Sequence, residues 1–555
     1  MALDSSCASQ TSSCLSHGES NHAPLSPVSF LERAVRVHPE RPAVIDGDIT
    51  LSYRAFYQRS RQLAGALEAM GLAPGEVVST LGMNSRAMLE AHYGVPMAGG
   101  VLNAINARLD GASIAFIMSH AETRVLLFDR SLRHMVATAL SLLASPAPVL
   151  VEIDDNAGND DTSAHDGLAP HDYESLLAAS SPCQPRVPAD ERDCIALNYT
   201  SGTTGNPKGV IYSHRGAYLN ALSNTLTLKM DDQTVYLWTL PMFHCNGWTH
   251  TWAVTAAGGT HVCMRRVEPA QVLEMIHARG ITHMAAAPII MTMMLDRPEA
   301  STPLPHPVLL ATGGASPNSA IIARMSALGF NVLHLYGMTE TYGPSLVCQF
   351  QPEWATLTHE ARARLQIRQG VGTFAIERVA LKDPVTHEDV PADGQSLGHL
   401  MLRGNTIMQG YIKNPEATRE AMGRGWLDTG DIAVMHEDGY IEIRDRAKDI
   451  IISGGESISS IEIEEIMMSH PAIREVAVIA RPHDFWGETP HAFVVPVSEA
   501  DRPDETELLH WCREHMAHFK VPRHVTFQTS LPRTSTGKLQ KYALREQQKT
   551  MMAPA

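Results

Sequence analysis

From position 28 onward, segments with apolar residues at helical spacing alternate with short apolar runs. The stretches FLERAVRVHPERPAVI, LSYRAFYQRSRQLAGALEAM, EVVSTLGM and SRAMLEAHYGVPMAGG set this rhythm. It predicts α/β layers built on a mainly parallel sheet. The pattern breaks over residues 153–190, where Asp, Asn, Gly, Ala, Ser and Pro dominate, as in a solvated surface loop or inter-lobe connection. It resumes with CIALNYT, VLLATGG, IIARMSALG and NVLHLYG, and strand-like segments prevail over residues 370–444. A boundary is expected near residues 444–449. Beyond it, residues 459–462 fit a capping box that opens an Ile-rich helix. Two strands, AIREVAVIA and HAFVVPV, and a helix over ETELLHWCREHMAHF follow. The organisation predicted is a disordered tail over 1–27, a large multi-subdomain N-terminal lobe with mainly parallel sheets over 28–447, and a small mobile α+β domain over 448–555.

Composition narrows the partners. Of 555 residues, 60 are acidic and 44 basic, a formal net charge of −16, and no Lys/Arg-rich block appears, so nucleic acid and anionic membranes are unsuited as main partners. Any anion must be held locally. Hydrophobic residues at 44% and charged residues at 19% suit a large buried core. The longest apolar candidate, residues 284–295, falls short of the ~18 needed for a membrane span and contains Pro288 and Thr292. The N-terminus lacks the basic start and apolar centre of a secretory signal, which predicts a cytoplasmic protein with reduced cysteines. The eight cysteines contain no CxxC pair and read as small buried hydrophobes.

The strongest chemical signal is the run Tyr199, Thr200, Ser201, Gly202, Thr203, Thr204, Gly205, Asn206, Pro207, Lys208, Gly209, which follows an apolar segment and is read as leading into a helix. Glycines let the backbone turn with its N–H groups exposed, hydroxyls donate to phosphate oxygens or ligate a cation, and Lys208 adds a mobile positive charge. The loop is built to wrap a polyphosphate. It is not a Walker A loop, because Lys208 lies between Pro207 and Gly209 rather than between Gly and Ser or Thr.

This loop resembles the signature of the adenylate-forming acyl-activating superfamily, which includes acyl-CoA synthetases, luciferases of the firefly type and peptide-synthetase adenylation domains. Further motifs follow in the same order: Gly313, Gly314, Ala315 and Ser316; Tyr336, Gly337, Met338, Thr339 and Glu340; Trp426 through the Thr429, Gly430, Asp431 turn; Asp445, Arg446, Ala447, Lys448 and Asp449; Gly454, Gly455 and Glu456; and the Thr536, Gly537, Lys538 turn. The resemblance covers about residues 28–548. It implies a ligase that couples a small carboxylic acid to CoA. Carboxylate and ATP, with Mg²⁺, give acyl-AMP and pyrophosphate, and the CoA thiol then displaces AMP.

Bringing a carboxylate to the α-phosphate sets like charges about 4 Å apart, a repulsion of roughly 4 kcal/mol at an effective dielectric near 20. By resemblance, Lys538 bridges the two, and Thr339 bonds the α-phosphate. Glu340 and Thr200 ligate Mg²⁺ as hard oxygen donors. Tyr336 faces adenine with Gly313, Gly314 and Ala315 close by, Asp431 takes the ribose hydroxyls, and Arg446 supports the ribose and phosphate side. Lys448 falls at the expected hinge of a rotating domain, and Ser453, Gly454, Gly455 and Glu456 line the CoA path in the second pose. The acyl pocket is expected at His244 and Trp248, four apart and so on one helical face. The wording of residues 241–248, together with that of residues 451–456 and 518–522, resembles the short- and medium-chain fatty acid and 3-(methylthio)propionate subgroup, which some plant benzoate-activating relatives share. Departures are Ser457, where relatives carry Asn, and Ile452, where long-chain enzymes carry Lys or Arg. The alternatives are an aromatic acid substrate, a non-CoA acceptor, or an inactive nucleotide-binding scaffold. A homodimer is the common default for such a chain.

Overall fold

Two parallel-rich sheets frame the larger part of the chain. The computed structural model describes residues 22–143, 146–154, 168–200, 207–315, 317–500, 502–533 and 539–552. In a nine-stranded sheet, Pro42–Asp46, Thr260–Cys263, Val235–Trp238, His283–Ala286, Val308–Thr312 and Phe330–Met338 lie side by side and parallel, with antiparallel strands at both edges. A seven-stranded sheet is parallel except where Cys194–Tyr199 pairs with Gly209–Ser213. Its strands Val77–Leu81 and Val101–Ile105 are buried at every position, as expected for strands covered on both faces. This is the α/β lobe the alternation predicts. Residues 376–446 form a separate four-stranded antiparallel sheet, in line with the strand-rich pattern read there.

The chain from Ile451 onward builds its own five-stranded sheet with helices Ser460–Met468, Glu505–His515 and Lys541–Met552. Ser459 caps the first, accepting from the Glu462 N–H at 3.2 Å. The reciprocal half of the expected capping box is replaced: the Glu462 carboxylate takes Lys520 at 2.6 Å. The second helix stops at His515, short of the sequence reading. Met516 turns to extended backbone and packs onto the core of this unit.

Two further readings are corrected. Part of the acid-rich segment at 153–190 is structured: Tyr173–Ala179 is a helix, the Tyr173 hydroxyl donates to buried Glu90 at 2.6 Å, and Glu174 binds Arg59 and Arg86. Residues 155–167 of that segment lie outside the described residues. No helix follows the Gly/Thr loop directly. The β-branched run GVIYS forms the strand Gly209–Ser213 first, closing a hairpin, and the helix His214–Thr227 starts after it. The predicted tail lies outside the described residues up to position 21. Leu25 and Ser26 are already docked, on Glu191 at 3.0 Å and on His214 Nδ1 at 3.0 Å.

Candidate functional site

The predicted residues of the large lobe gather beside the carboxyl ends of neighbouring strands, where open α/β sheets place ligands. Thr200 and Lys208 flank the Gly/Thr loop. The Thr200 N–H donates to the Lys208 carbonyl at 2.9 Å, and the Lys208 N–H to the Thr200 hydroxyl at 3.3 Å. The intervening Ser201, Gly202, Thr203, Thr204 and Gly205 lie outside the described residues. The Lys208 ammonium sits 4.9 Å above the Tyr411 ring, and the Tyr411 hydroxyl donates to Glu340 at 2.7 Å. Glu340 is buried. Tyr411 thus joins the loop lysine to the predicted magnesium carboxylate. The sequence reading missed it, since one tyrosine in IMQGYIKNP carries no spacing signal.

Thr339 follows the strand Phe330–Met338, its carbonyl accepting from Tyr212 at 2.7 Å and its hydroxyl facing the Cys245 thiol at 3.8 Å. Burial pushes that thiol up to about 11, so it stays neutral. Gly337 packs where a Cβ would come within 1.8 Å of the Gly343 carbonyl, and Met338 ends the strand. Gly313 likewise has no room, a Cβ there lying 2.5 Å from the Leu335 carbonyl, whereas Gly314 has φ +80° and open space beside it. Ala315 follows in the same turn.

Across from this edge, Asp431 and Arg446 are register partners in the antiparallel sheet. Arg446 Nε donates to Asp431 Oδ1 at 2.7 Å, and the Tyr336 hydroxyl donates to Asp431 Oδ2 at 2.5 Å. The Asp431 charge holds the Arg446 guanidinium above its ordinary range, and burial, then Asp431, hold the Tyr336 phenol far above its own. Among the described residues each oxygen of this carboxylate accepts from one partner, and a carboxylate oxygen has two lone pairs.

His244 and Trp248 are brought together, but not as one face of an α-helix. Cys245, Asn246, Gly247, Trp248 and Thr249 all have φ between +51° and +62°. The turn is left-handed, with Trp248 N–H donating to the His244 carbonyl at 3.2 Å and Thr249 N–H to Cys245 at 3.0 Å. Four of these residues carry a Cβ, at a cost of about 1–2 kcal/mol each. Six buried side-chain hydrogen bonds at about 1 kcal/mol each offset that cost. Asn198 donates to Asn246 at 2.7 Å, Asn246 to His92 Nε2 at 3.1 Å, Thr251 to the Asn246 carbonyl, Asn220 to Thr249, and Asn224 to both Thr249 and the Trp248 carbonyl. His92 gives its single proton from Nδ1 to the Met88 carbonyl at 2.8 Å, and burial holds its pKa down to about 4. Gly247 is required, since a Cβ would meet the Trp238 ring at 2.4 Å.

Lys448 sits just past the strand Ile441–Arg446, the Ala447 N–H returning to the Gly430 carbonyl at 2.9 Å. Arg545 of the C-terminal helix donates to the Lys448 carbonyl at 3.3 Å and pairs with Asp449. Ser453, Gly454, Gly455 and Glu456 form a hairpin turn: Ser453 pairs with Glu456, and both glycines have positive φ, +61° and +90°, as the twist of a two-residue hairpin demands. A Cβ on Gly454 would lie 2.8 Å from the Trp486 ring. Lys538 lies outside the described residues.

Among the described residues no three His, Cys, Asp or Glu side chains gather to hold a metal ion. A single buried carboxylate, Glu340, suits magnesium, which keeps waters and binds through substrate phosphates rather than an all-protein cage.

Residues 31–412 match the model of the AMP-binding enzyme family, and residues 462–538 match that of the AMP-binding enzyme C-terminal domain. The peroxisomal acetate/butyrate–CoA ligase of Arabidopsis thaliana is 44% identical over 550 residues, with 96% of each chain covered. The peroxisomal benzoate–CoA ligase of the same plant is 43% identical over 549 residues, covering 95% of this chain and 94% of its own. Among solved structures, ATP-bound MatB from Rhodopseudomonas palustris superposes with a TM-score of 0.81 at 26% identity, over 95% of this chain and all of its own.

Proposed function

The chain belongs to the AMP-binding enzyme family and is an ATP- and CoA-dependent acid–thiol ligase, and on that premise we propose that its acid is a short- to medium-chain carboxylate, with 3-(methylthio)propionate a candidate. The observation that carries the size limit is the placement of Trp248. Its ring edge would lie 3.2 Å from a Cβ on Gly313, and Gly343 packs against its backbone. In this reading the large indole held there walls the acid site beside His244. Similarity to an acetate/butyrate ligase supports the same reading. An aromatic acid is the second reading, favoured by the benzoate–CoA ligase relative.

In the proposed roles, Lys208 and the hydroxyls of the Gly/Thr loop hold the polyphosphate. Thr339 and Lys538 orient the α-phosphate against the attacking carboxylate. Asp431 takes the ribose hydroxyls, one on each carboxylate oxygen, Tyr336 faces adenine beside Gly314 and Ala315, and Arg446 holds Asp431 aimed. Glu340, fixed by Tyr411, and Thr200 would hold Mg²⁺, which neutralises phosphate charge when bound. We propose 28–447 and 448–555 as the two bodies that rotate about Lys448, bringing the hairpin at Gly454 and Gly455 to the CoA thiol for the second half-reaction. Cytoplasmic residence is likewise a proposal: the six described cysteines are free thiols, two named relatives are peroxisomal, and cell fractionation decides between the compartments.

Pyrophosphate exchange with acetate, butyrate, hexanoate, 3-(methylthio)propionate and benzoate, followed by thioester detection with CoA, tests the reading. Exchange and thioester formation are expected to peak with the aliphatic acids of two to six carbons. A peak with benzoate establishes the aromatic reading instead. Exchange without thioester refutes CoA as the acceptor.

A further inference from the structure

The helix His214–Thr227 carries two asparagines four residues apart, Asn220 and Asn224, on one face. Both are buried. Each spends its amide hydrogens on the left-handed turn or the chain against it. Asn224 donates to the Trp248 carbonyl at 2.9 Å and the Thr249 hydroxyl at 3.0 Å, and Asn220 to the same hydroxyl at 3.0 Å and the Tyr342 carbonyl at 2.9 Å. Among the described residues, the side-chain oxygens of both are buried without a partner. An unpaired buried carbonyl is a cost that an apolar residue would avoid. What these asparagines retain in exchange is two-handed donation to one short stretch of backbone. The turn they grip, ending at Thr249, carries Trp248, and its other end carries the Cys245 thiol against Thr339 at 3.8 Å.

We propose that Asn220 and Asn224 are positioning residues that set acyl-chain length from behind the pocket, by fixing the left-handed turn and through it the depth of the Trp248 ring. The inference rests on the reading of Trp248 as the wall of the acid site. With the grip loosened, the turn has other backbone conformations open to it, because its left-handed state is unfavourable for residues bearing a Cβ. The indole then moves relative to the Gly313 edge, and the pocket changes by the order of a methylene.

The test is the ratio of kcat/KM for butyrate to that for hexanoate in pyrophosphate exchange, a quantity independent of how much enzyme is folded. Asn224→Ala is expected to change it about tenfold, the scale on which one methylene is discriminated. Thr249→Gly removes the shared hydroxyl while placing glycine where φ is +61°, a substitution the backbone accepts readily, and it is expected to shift the ratio as well. In a Trp248→Ala background, Asn224→Ala is expected to leave the ratio where Trp248→Ala alone puts it, because its effect passes through the indole. Variants that lose rate or melting temperature with an unchanged ratio overturn the proposal, as does an additive shift in the Trp248→Ala background. Wild-type enzyme that exchanges with none of these acids overturns the proposed acid class and this inference with it, whereas normal wild-type exchange with unmoved ratios overturns the positioning role alone.

Discussion

Replacing Asp431 by Asn separates the charge of this side chain from its shape. The native carboxylate is 3% exposed and already accepts from Arg446 at 2.7 Å and Tyr336 at 2.5 Å. About four lone-pair sites leave two for the ribose hydroxyls. The amide offers one oxygen, which must face the Arg446 N–H because a guanidinium cannot accept. Its nitrogen then faces Tyr336, whose hydroxyl can reverse to accept. Both ribose contacts lose their ionic partner. Hydrogen bonds to charged groups contribute about 1.5–3 kcal/mol against 0.5–1.5 for neutral ones, so two such exchanges cost about 2–3 kcal/mol. ATP affinity should fall about 30- to 150-fold. Titration calorimetry with ATP and with 2′,3′-dideoxy-ATP, both with magnesium, reads this directly. Wild type should discriminate strongly between the two nucleotides, and Asp431→Asn should lose most of that discrimination. A variant that binds ATP less tightly but keeps the wild-type ratio would refute the ribose assignment and leave Asp431 as a support for Arg446.

Gly454→Ala sets a Cβ 2.8 Å from the Trp486 ring at φ +61°, so thioester formation from supplied acyl-AMP is expected to slow about tenfold or more while pyrophosphate exchange holds; equal loss in both half-reactions argues against the CoA-path role. Lys538→Ala is expected to cut adenylation by about 10²- to 10³-fold and spare thioester formation from acyl-AMP, and parallel loss of the two would contradict domain rotation. Burial holds the pKa of His92 down to about 4 and those of His250 and His261 to about 3. Their unfolded pKa lies near 6.5, so the stability from keeping them neutral is complete above about pH 6.5. It falls as pH drops toward 4, because the unfolded chain binds protons the folded one refuses, at up to about 1.4 kcal/mol per unit for each ring. Urea denaturation between pH 5 and 6.5 should show this slope, and His261→Gln should reduce it by one ring's share. A slope unchanged by that substitution would mean His261 titrates alike in both states.

The buried apolar strands, the helices between them and the strand-rich stretch after residue 370 were legible because burial on both faces writes continuous Val, Ile and Leu runs; that the later strands pair antiparallel came from the structure. The chemistry-bearing motifs were legible for a related reason: a loop that wraps phosphate needs glycines and hydroxyls close together in the chain, so its signature is local. What was misread was non-local. The spacing of His244 and Trp248 is four in either hand of helix, and nothing in CNGWT announces a left-handed turn. That hand is decided by Asn198, Asn220, Asn224 and His92, which come from other elements. Tyr411 went unnoticed because its bond to Glu340 and its ring under Lys208 join positions far apart in sequence. Residues 153–190 read as a solvated loop because the partners of Glu174, Arg59 and Arg86, come from distant parts of the chain.

Read along the chain alone, periodicity specified the layers and composition the phosphate-wrapping loop, each encoded over a few residues, while the class of chemistry came from the family resemblance carried by the ordered motifs. The hand of the turn at Trp248, the partners of Asp431 and the grip of Arg545 beside Lys448 emerged with the folded chain. Those depend on hydrogen bonds and ion pairs between side chains distant along the chain, whose energies exist only once burial has brought them together.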